Sequence, residues 1–307
     1  MQTKRFAEYD LSRMMLGTVQ FGMPYGIANT AGQPDYRQVR EIIAAAIEGG
    51  VNCFDTAAAY GSSEEVLGRA LRELDVLDEV VVVTKVQHLG SSDRADAATA
   101  ERLIEQSVEA SRRRLGLDCL PVVLFHREAD AEYMDVLLSL RERGRLRHAG
   151  VSCGNEPGGA VRLAAQPGVE ALQIPANVLD RRHQRSSAFE AASSHGTAAF
   201  VRSVFLQGLL LMPEDRIPEG LREVIPARRQ LDRIRRRAGL SAPELAIRYM
   251  LSQGGVTCVL TGVESVGQVR DNIAIFERGP LGPETLRAVE AVEPDLPEEV
   301  LTPSMWQ

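Results

Sequence analysis

Short apolar runs alternate with longer amphipathic stretches along most of this chain. Met14 to Phe21 (MMLGTVQF) reads as a first strand, and Tyr36 to Glu48 as a helix stopped by Gly49-Gly50. A short strand follows at Cys53 to Thr56. Ser63 opens the next helix, with Glu64 and Glu65 in its first turn, where carboxylates suit the helix dipole. Val80 to Lys85 (VVVVTK) carries no polar alternation, as in a strand buried on both faces. Ala97 to Leu115 is a long amphipathic helix, Pro121 to Phe125 a fourth strand and Ala131 to Arg143 a fourth helix. The second half repeats the theme. Leu146 to Ser152, Ala171 to Pro175, Ala198 to Phe205 and Val256 to Leu260 read as strands, with helices at Gly158 to Ala165, Ser186 to His195 and Val266 to Phe276. Between the last two strands lie a long loop holding Pro213 and Pro218 and two helices, Ala227 to Ala238 and Pro243 to Gln253. Pro283 to Val292 adds one helix before a proline-rich tail.

Eight strand units, each followed by helix, predict an α/β fold. Eight units over roughly 260 residues match a (β/α)8 TIM barrel with an additional C-terminal helix. The competing open doubly wound sheet lacks its fingerprint. No two glycines stand two positions apart, so GxGxxG is absent, and there is no P-loop.

Composition then narrows the class. At about 150 residues per domain the length suggests about two domains, but unbroken strand–helix alternation predicts one, 1–307. With 44% apolar and 25% charged residues the chain is neither disordered nor collagen-like. A net charge of −7 argues against a nucleic-acid partner. No run of 18 apolar residues predicts a membrane span, and Met1 to Asp10 lacks the apolar stretch of a signal peptide. Cys53, Cys119, Cys153 and Cys258 are far apart with no CxxC spacing, which predicts reduced thiols in a cytoplasmic protein.

In such a barrel the active site sits at the C-terminal strand ends. Polar residues gather there. The second strand ends in Asp55-Thr56 with Tyr60-Gly61 in its loop, the third in Thr84-Lys85, the fourth in His126 and the fifth in Ser152. The sixth gives Gln173 and then Asn177, the seventh Arg202 and Ser203, the eighth Thr261-Gly262. The first four form a coherent set. A tyrosine near neutrality is a proton donor. A neighbouring ammonium favours its phenolate, an aspartate keeps that ammonium charged and fixed, and a histidine can orient a carbonyl oxygen. Reduction of a carbonyl by hydride needs such donors, with the hydride coming from a cofactor.

The stretch Gly50 to Gly61 (GVNCFDTAAAYG) resembles the aldo-keto reductase signature, and the match extends through Ser63 to Gly68. Thr84-Lys85, Leu124 to His126, Gly150 to Ser152, Gln173 to Arg182, Gln207 to Leu210 and Leu260 to Asn272 follow in the family's order. The chain is thereby identified as a member of that superfamily, of bacterial type. The resemblance implies a barrel that binds NADP(H) without a Rossmann domain and acts on a small-molecule carbonyl substrate, as a monomer or homo-oligomer. Tyr60 would be the general acid, tuned by Lys85 and Asp55, with His126 orienting the substrate. Ser152, Gln173 and Asn177 would hold the nicotinamide carboxamide. Ser203, Phe205 and Gln207 would wrap the pyrophosphate, and Gly262, Ser265, Gln268, Asp271 and Asn272 the adenosine end. Gly17, Thr18 and Asp55 complete the implied cofactor surface; no metal is implied. The LGTVQFGMPYGIAN opening and the NVLDRR segment resemble bacterial members acting on sugars or other polar carbonyls.

The chain departs from the family pattern in three respects. Cys153 replaces an Asn found in many members. Arg202 stands where many stack a Tyr on the nicotinamide, and its planar guanidinium could stack there or meet an anionic substrate. Gly262 and Gln268 replace the Lys and Arg that grip the 2′-phosphate, and Glu264 adds negative charge. The expectation is NADPH, with NADH admitted and Arg270 a substitute cation. Gly150 to Gly154 also reads GxSxG, but no helix starts after Ser152 as a nucleophile elbow requires. His88, His148, His183 and His195 show no metal-ligand spacing and are expected on surfaces or loop ends. Arg112 to Arg114 and Arg233 to Arg237 read as solvated helix faces, and Trp306 as a frayed tail or a cover over the barrel mouth or a neighbouring subunit. Two alternatives remain open here: a redox-neutral lyase or isomerase using the same Tyr/Lys pair, and a non-catalytic cofactor-binding regulatory protein.

Overall fold

The computed structural model describes residues 1–29 and 32–306. Two short strands, β1 (Thr3–Phe6) and β2 (Tyr9–Ser12), pair antiparallel. Eight parallel strands follow: β3 (Met14–Gly17), β4 (Cys53–Asp55), β5 (Val81–Lys85), β6 (Leu120–Phe125), β7 (Leu146–Ser152), β8 (Ala171–Pro175), β9 (Ala198–Arg202) and β10 (Val256–Gly262). They close into a barrel in the order β10-β3-β4-β5-β6-β7-β8-β9. The expected (β/α)8 barrel is the observed fold, and the helix Pro283–Glu290 is the additional C-terminal one.

Side chains alternate across a strand, so each barrel strand feeds two cores. One parity fills the barrel interior: Met15, Cys53, Val81, Val83, Val122, Leu124, Ala171, Ala198, Phe200, Cys258 and Leu260. The other parity, including Leu16, Phe54, Val82, Val123 and Leu172, packs under the surrounding helices. Both sets are buried, which is why β5 and β6 read as unbroken apolar runs.

The N-terminal hairpin is a feature the polar-looking opening of the chain concealed. Phe6 and Leu11 join the barrel-interior core and close its lower end, with Tyr9 packed partly buried against them. Phe6 meets Phe200 edge-on at 6.0 Å. Burial of each such side chain stabilises by about 1.5–3 kcal/mol. Beside this plug, His148 is buried rather than exposed, with Nε2 2.8 Å from Glu8 and Nδ1 3.2 Å from Glu170. His183 is also buried, its Nε2 3.0 Å from the Gly154 carbonyl.

Three boundaries move for stated reasons. The first barrel strand ends at Gly17, paired with Asp55 and Gly262, and Val19–Gly22 forms a helical turn instead of continuing to Phe21. β9 ends at Arg202 because Ser203 takes a left-handed backbone, φ 64. The sixth helix, expected from Ser186, begins at Ala188 and runs to Ser194 because Ser187 takes a left-handed backbone, φ 60, and a separate helical turn, Arg182–Arg185, precedes it. Arg181 ties this region to the C-terminal helix, donating to the carbonyls of Val289 at 2.8 Å and Val292 at 3.0 Å. Trp306 packs partly buried against the core, with no partner for its indole N–H among the described residues. Among the described residues no helix is long and apolar enough to cross a membrane, and no group of His, Cys, Asp or Glu is placed to hold a metal.

Candidate active site

The interior parity of the barrel delivers the polar residues. Asp55 lies two residues beyond Cys53, Lys85 two beyond Val83, His126 two beyond Leu124, Gln173 two beyond Ala171 and Arg202 two beyond Phe200. Each is the next inward-facing position where its strand reaches the upper rim. Strand register sets the neighbours. Gly17 pairs with Asp55 and with Gly262, Ser152 with Gln173, and Pro175 with Arg202.

Above this rim opens a cavity of about 1610 Å³. Of the residues singled out from the sequence, Gly17, Thr18, Asp55, Tyr60, His126, Ser152, Gln173, Arg202, Ser203, Phe205, Gln207, Gly262, Gln268, Asp271 and Asn272 line it. Three do not. Lys85 is fully buried behind Tyr60 and Asp55. Ser265 caps the helix Val266–Glu277, accepting from the Gln268 N–H at 3.2 Å. Asn177 spends its whole amide on the backbone: Oδ1 accepts from Leu179 and Asp180 at 2.9 Å each, and Nδ2 donates to the Ser203 carbonyl at 3.2 Å.

Lys85 Nζ donates to Asp55 Oδ1 at 2.7 Å and to the Thr56 carbonyl at 2.8 Å. It stands 4.9 Å from the centroid of the Tyr60 ring. Burial works against the Lys85 ammonium, but the Asp55 carboxylate and Tyr60 outweigh it and hold the lysine above its ordinary value. Tyr60 in turn meets His126 nearly edge-on, ring centroids 5.7 Å apart. Burial, then the charges of Lys85, His88, Arg202 and Arg127, push His126 down to about 3. It is therefore a neutral imidazole near pH 7, and its buried Nδ1 has no partner among the described residues.

The position of Tyr60 is fixed from below by two glycines. A Cβ on Gly22 would lie 1.9 Å from the Tyr60 carbonyl oxygen, and one on Gly61 would lie 2.3 Å from the Gly22 carbonyl oxygen. Only glycine at both places lets the Tyr60 loop sit on the turn Val19–Gly22.

The residues fit a nicotinamide dinucleotide. Ser152 and Gln173 face the cavity next to the Lys85–Asp55 pair. Gln173 Nε2 is committed to Asp55 Oδ1 at 2.7 Å, which leaves its carbonyl oxygen as an acceptor beside the Ser152 hydroxyl. An acceptor and a donor side by side suit a carboxamide. The loop after β9 is held in an unusual backbone, with Ser203, Leu206 and Gln207 all left-handed (φ 64, 47 and 51). Gly208 of that loop approaches Ala28 so closely that a Cβ would lie 2.4 Å from the Ala28 Cβ, so the loop after β3 straps against it. Arg202 is tethered to the Cys153 carbonyl at 2.9 Å, which keeps its guanidinium at the rim.

Sequence reasoning missed several lining residues, among them Gln20, Tyr25, Arg127, Glu128 and Glu244. They lie on loops or in a helix outside the strand-end pattern. For Gln20 and Tyr25 the signal was the strand ending at Gly17, which frees the next residues to rise over the mouth. Tyr25 is pushed up in pKa by burial and the nearby Tyr60, against the opposing pull of Arg202.

Comparison with known proteins agrees with this geometry. The sequence model of the Aldo/keto reductase family matches residues 13–294. The chain is 29% identical over 298 residues to the NADH-specific methylglyoxal reductase of Escherichia coli strain K12, covering 86% of this chain and 89% of that protein. It is 28% identical to aldo-keto reductase YhdN of Bacillus subtilis strain 168, covering 85% of this chain and 83% of that one. Among solved structures, the holo form of aldo-keto reductase AKR11C1 from Bacillus halodurans superposes with a TM-score of 0.78 at 23% identity, over 98% of this chain and 99% of that one.

Proposed function

The chain belongs to the Aldo/keto reductase family, and from that premise we propose that it reduces the carbonyl of a small polar aldehyde or ketone to an alcohol, with Tyr60 as proton donor. The carrying observation is the meeting of Tyr60, the Lys85–Asp55 pair and neutral His126 at one wall of a cavity otherwise suited to a dinucleotide. A bound reduced nicotinamide dinucleotide would supply the hydride. Ser152 and Gln173 would orient its carboxamide, and the left-handed loop from Ser203 to Gln207 would lie along its pyrophosphate.

The protein's own groups handle the oxygen. Neutral His126 donates an N–H to the substrate carbonyl and fixes its direction. Tyr60 donates its hydroxyl to the same oxygen and releases the proton as negative charge develops there. Lys85 favours the resulting phenolate, because Asp55 keeps the ammonium charged in a buried setting. Arg202 and Arg127 make this end of the cavity electropositive, which suits a polar or anionic substrate. The choice between NADPH, expected from the sequence, and NADH turns on the opposite end of the cavity.

The test follows the near-ultraviolet absorbance of the reduced dinucleotide against a panel of sugar and short-chain carbonyls. Tyr60→Phe should lower turnover by about 10²–10⁴-fold, with dinucleotide binding unchanged by calorimetry. Unchanged turnover in Tyr60→Phe overturns the proton-donor role, and absence of dinucleotide binding overturns the reading.

A further inference from the structure

With the hydride-accepting end fixed at Tyr60, the far end of the cavity must receive the adenosine. It runs from the end of β10 along the helix Val266–Glu277. Gln268, Asp271, Asn272 and Ile275 line it at spacings of three and four, one face of that helix. From Gln268 to Arg278 this wall extends roughly 15 Å at the helical rise. A 2′-phosphate on the adenosine ribose carries nearly two negative charges at pH 7 and needs cations or free backbone N–H groups.

Among the described residues no unpaired cation is on offer here. Arg278 is the only cationic side chain among the described residues lining this end, and it is paired with Glu244 Oε1 at 3.0 Å. Arg270 does not line the cavity. Two of the donors at the helix entry are also taken: the Glu264 N–H goes to Gln268 Oε1 at 2.6 Å, and the Gln268 N–H to Ser265 Oγ at 3.2 Å. What the wall does present is the half-buried carboxylate of Glu264, which has no hydrogen-bond or ion-pair partner among the described residues, with Asp271 farther along. Burial alone raises the Glu264 pKa; no cation is close enough to lower it.

We propose that this end selects a dinucleotide with a free 2′-hydroxyl, NADH, and that Glu264 is the residue that excludes the 2′-phosphate. A carboxylate accepts from ribose hydroxyls and repels a phosphate, and Gln268 Nε2 remains as a neutral donor beside it. The proposal rests on the dinucleotide reading above and reverses the cofactor preference expected from the family resemblance.

Calorimetric titration of the full chain with NADH and with NADPH, at low and high salt, tests it. NADH should bind at least tenfold more tightly, and the gap should narrow at high salt as the repulsion is screened. Glu264→Gln should tighten NADPH binding while weakening NADH binding severalfold at most, and Glu264→Lys should bring NADPH level with NADH or ahead. Equal or tighter NADPH binding by the unmodified protein overturns the proposal. A tenfold NADH preference that survives Glu264→Lys overturns the assignment to Glu264. Failure to bind either dinucleotide overturns the underlying cofactor reading itself. Thermal shift with each dinucleotide gives the same comparison without turnover.

Discussion

Gln173 donates from Nε2 to Oδ1 of Asp55 at 2.7 Å, the same carboxylate oxygen that receives the Lys85 ammonium at 2.7 Å. One buried oxygen thus joins the group proposed to hold the carboxamide to the group proposed to tune the proton donor. A shift of Asp55 disturbs both ends of hydride transfer at once.

Replacing Asp55 by Asn should therefore damage stability and chemistry together. Lys85 is fully buried, and removing its counter-charge leaves an ammonium with no compensation. Breaking a buried pair from one side costs about 3–5 kcal/mol, which should appear as a lower urea midpoint, with turnover down more than about a hundredfold. The double variant Asp55→Asn/Lys85→Met should regain part of the stability and none of the turnover. The pair also sets an alkaline limit. Lys85 is held above its ordinary 10.5, so its contribution is complete below that value and is lost as pH rises through the folded value. An Asp55→Asn variant as stable as the parent would show that the pair is not coupled to folding.

His126 makes the opposite prediction on the acid side. Its folded value, about 3, lies below the ordinary 6.5, so the unfolded chain binds the proton more readily in between. The stability tied to neutral His126 is complete above about 6.5 and lost as pH falls toward 3. His126→Gln should flatten the pH dependence of the urea midpoint in that window. It should add or remove no ionisation in the pH–rate profile between about pH 5 and pH 8. A turnover limb in that range that vanishes in His126→Gln would mean the imidazole is charged in the working enzyme.

Much of this site was readable because strand parity is readable. Once Val83 is inside the barrel, Lys85 must be inside too, and the same step of two carries Cys53 to Asp55 and Leu124 to His126. What stayed hidden depends on contacts between segments far apart in sequence. Glu8 and Glu170 draw His148 into a buried cluster that its own strand does not announce. The hairpin exposes so many polar residues that the two it sends into the barrel-interior core, Phe6 and Leu11, carry no periodic signal. The bracing role of Asn177 is hidden in the same way, because nothing local reveals that the Ser203 carbonyl, twenty-six positions on, lies within reach.

Gly22 should be intolerant of any side chain for a reason unconnected to its own turn. A Cβ there would lie 1.9 Å from the Tyr60 carbonyl oxygen and 2.8 Å from the Ser63 Cβ. Both partners belong to the loop that aims Tyr60, so Gly22→Ala must push that loop toward the cavity. A misplacement of about 1 Å is worth about a hundredfold in rate. We expect kcat to fall by that order while dinucleotide affinity changes less than threefold, since Ser152, Gln173 and the loop from Ser203 to Gln207, proposed to hold most of the dinucleotide, lie on other strands. Parent-like kcat in Gly22→Ala would show that the loop yields without moving the hydroxyl.

Asn177 should act on dinucleotide affinity through the loop it braces. Its Nδ2 holds the carbonyl of Ser203, where the chain turns left-handed at φ 64 and begins the segment with Leu206 and Gln207 in the same conformation. Such a backbone persists only when its surroundings over-determine it. Asn177→Asp keeps the Oδ1 acceptor for Leu179 and Asp180 but sets a carboxylate oxygen against the Ser203 carbonyl, so it removes this one contact with the least other change. The loop should relax, and dinucleotide binding should weaken about tenfold, the equivalent of one lost hydrogen bond of about 1.4 kcal/mol. Turnover at saturating dinucleotide should fall less than threefold, because Tyr60, Lys85 and His126 sit on other strands. Calorimetry and saturation kinetics on Asn177→Asp separate the two effects. Unchanged affinity would show that the loop holds its shape without Asn177, and a collapse of kcat at saturation would place Asn177 nearer the chemistry than its hydrogen bonds indicate.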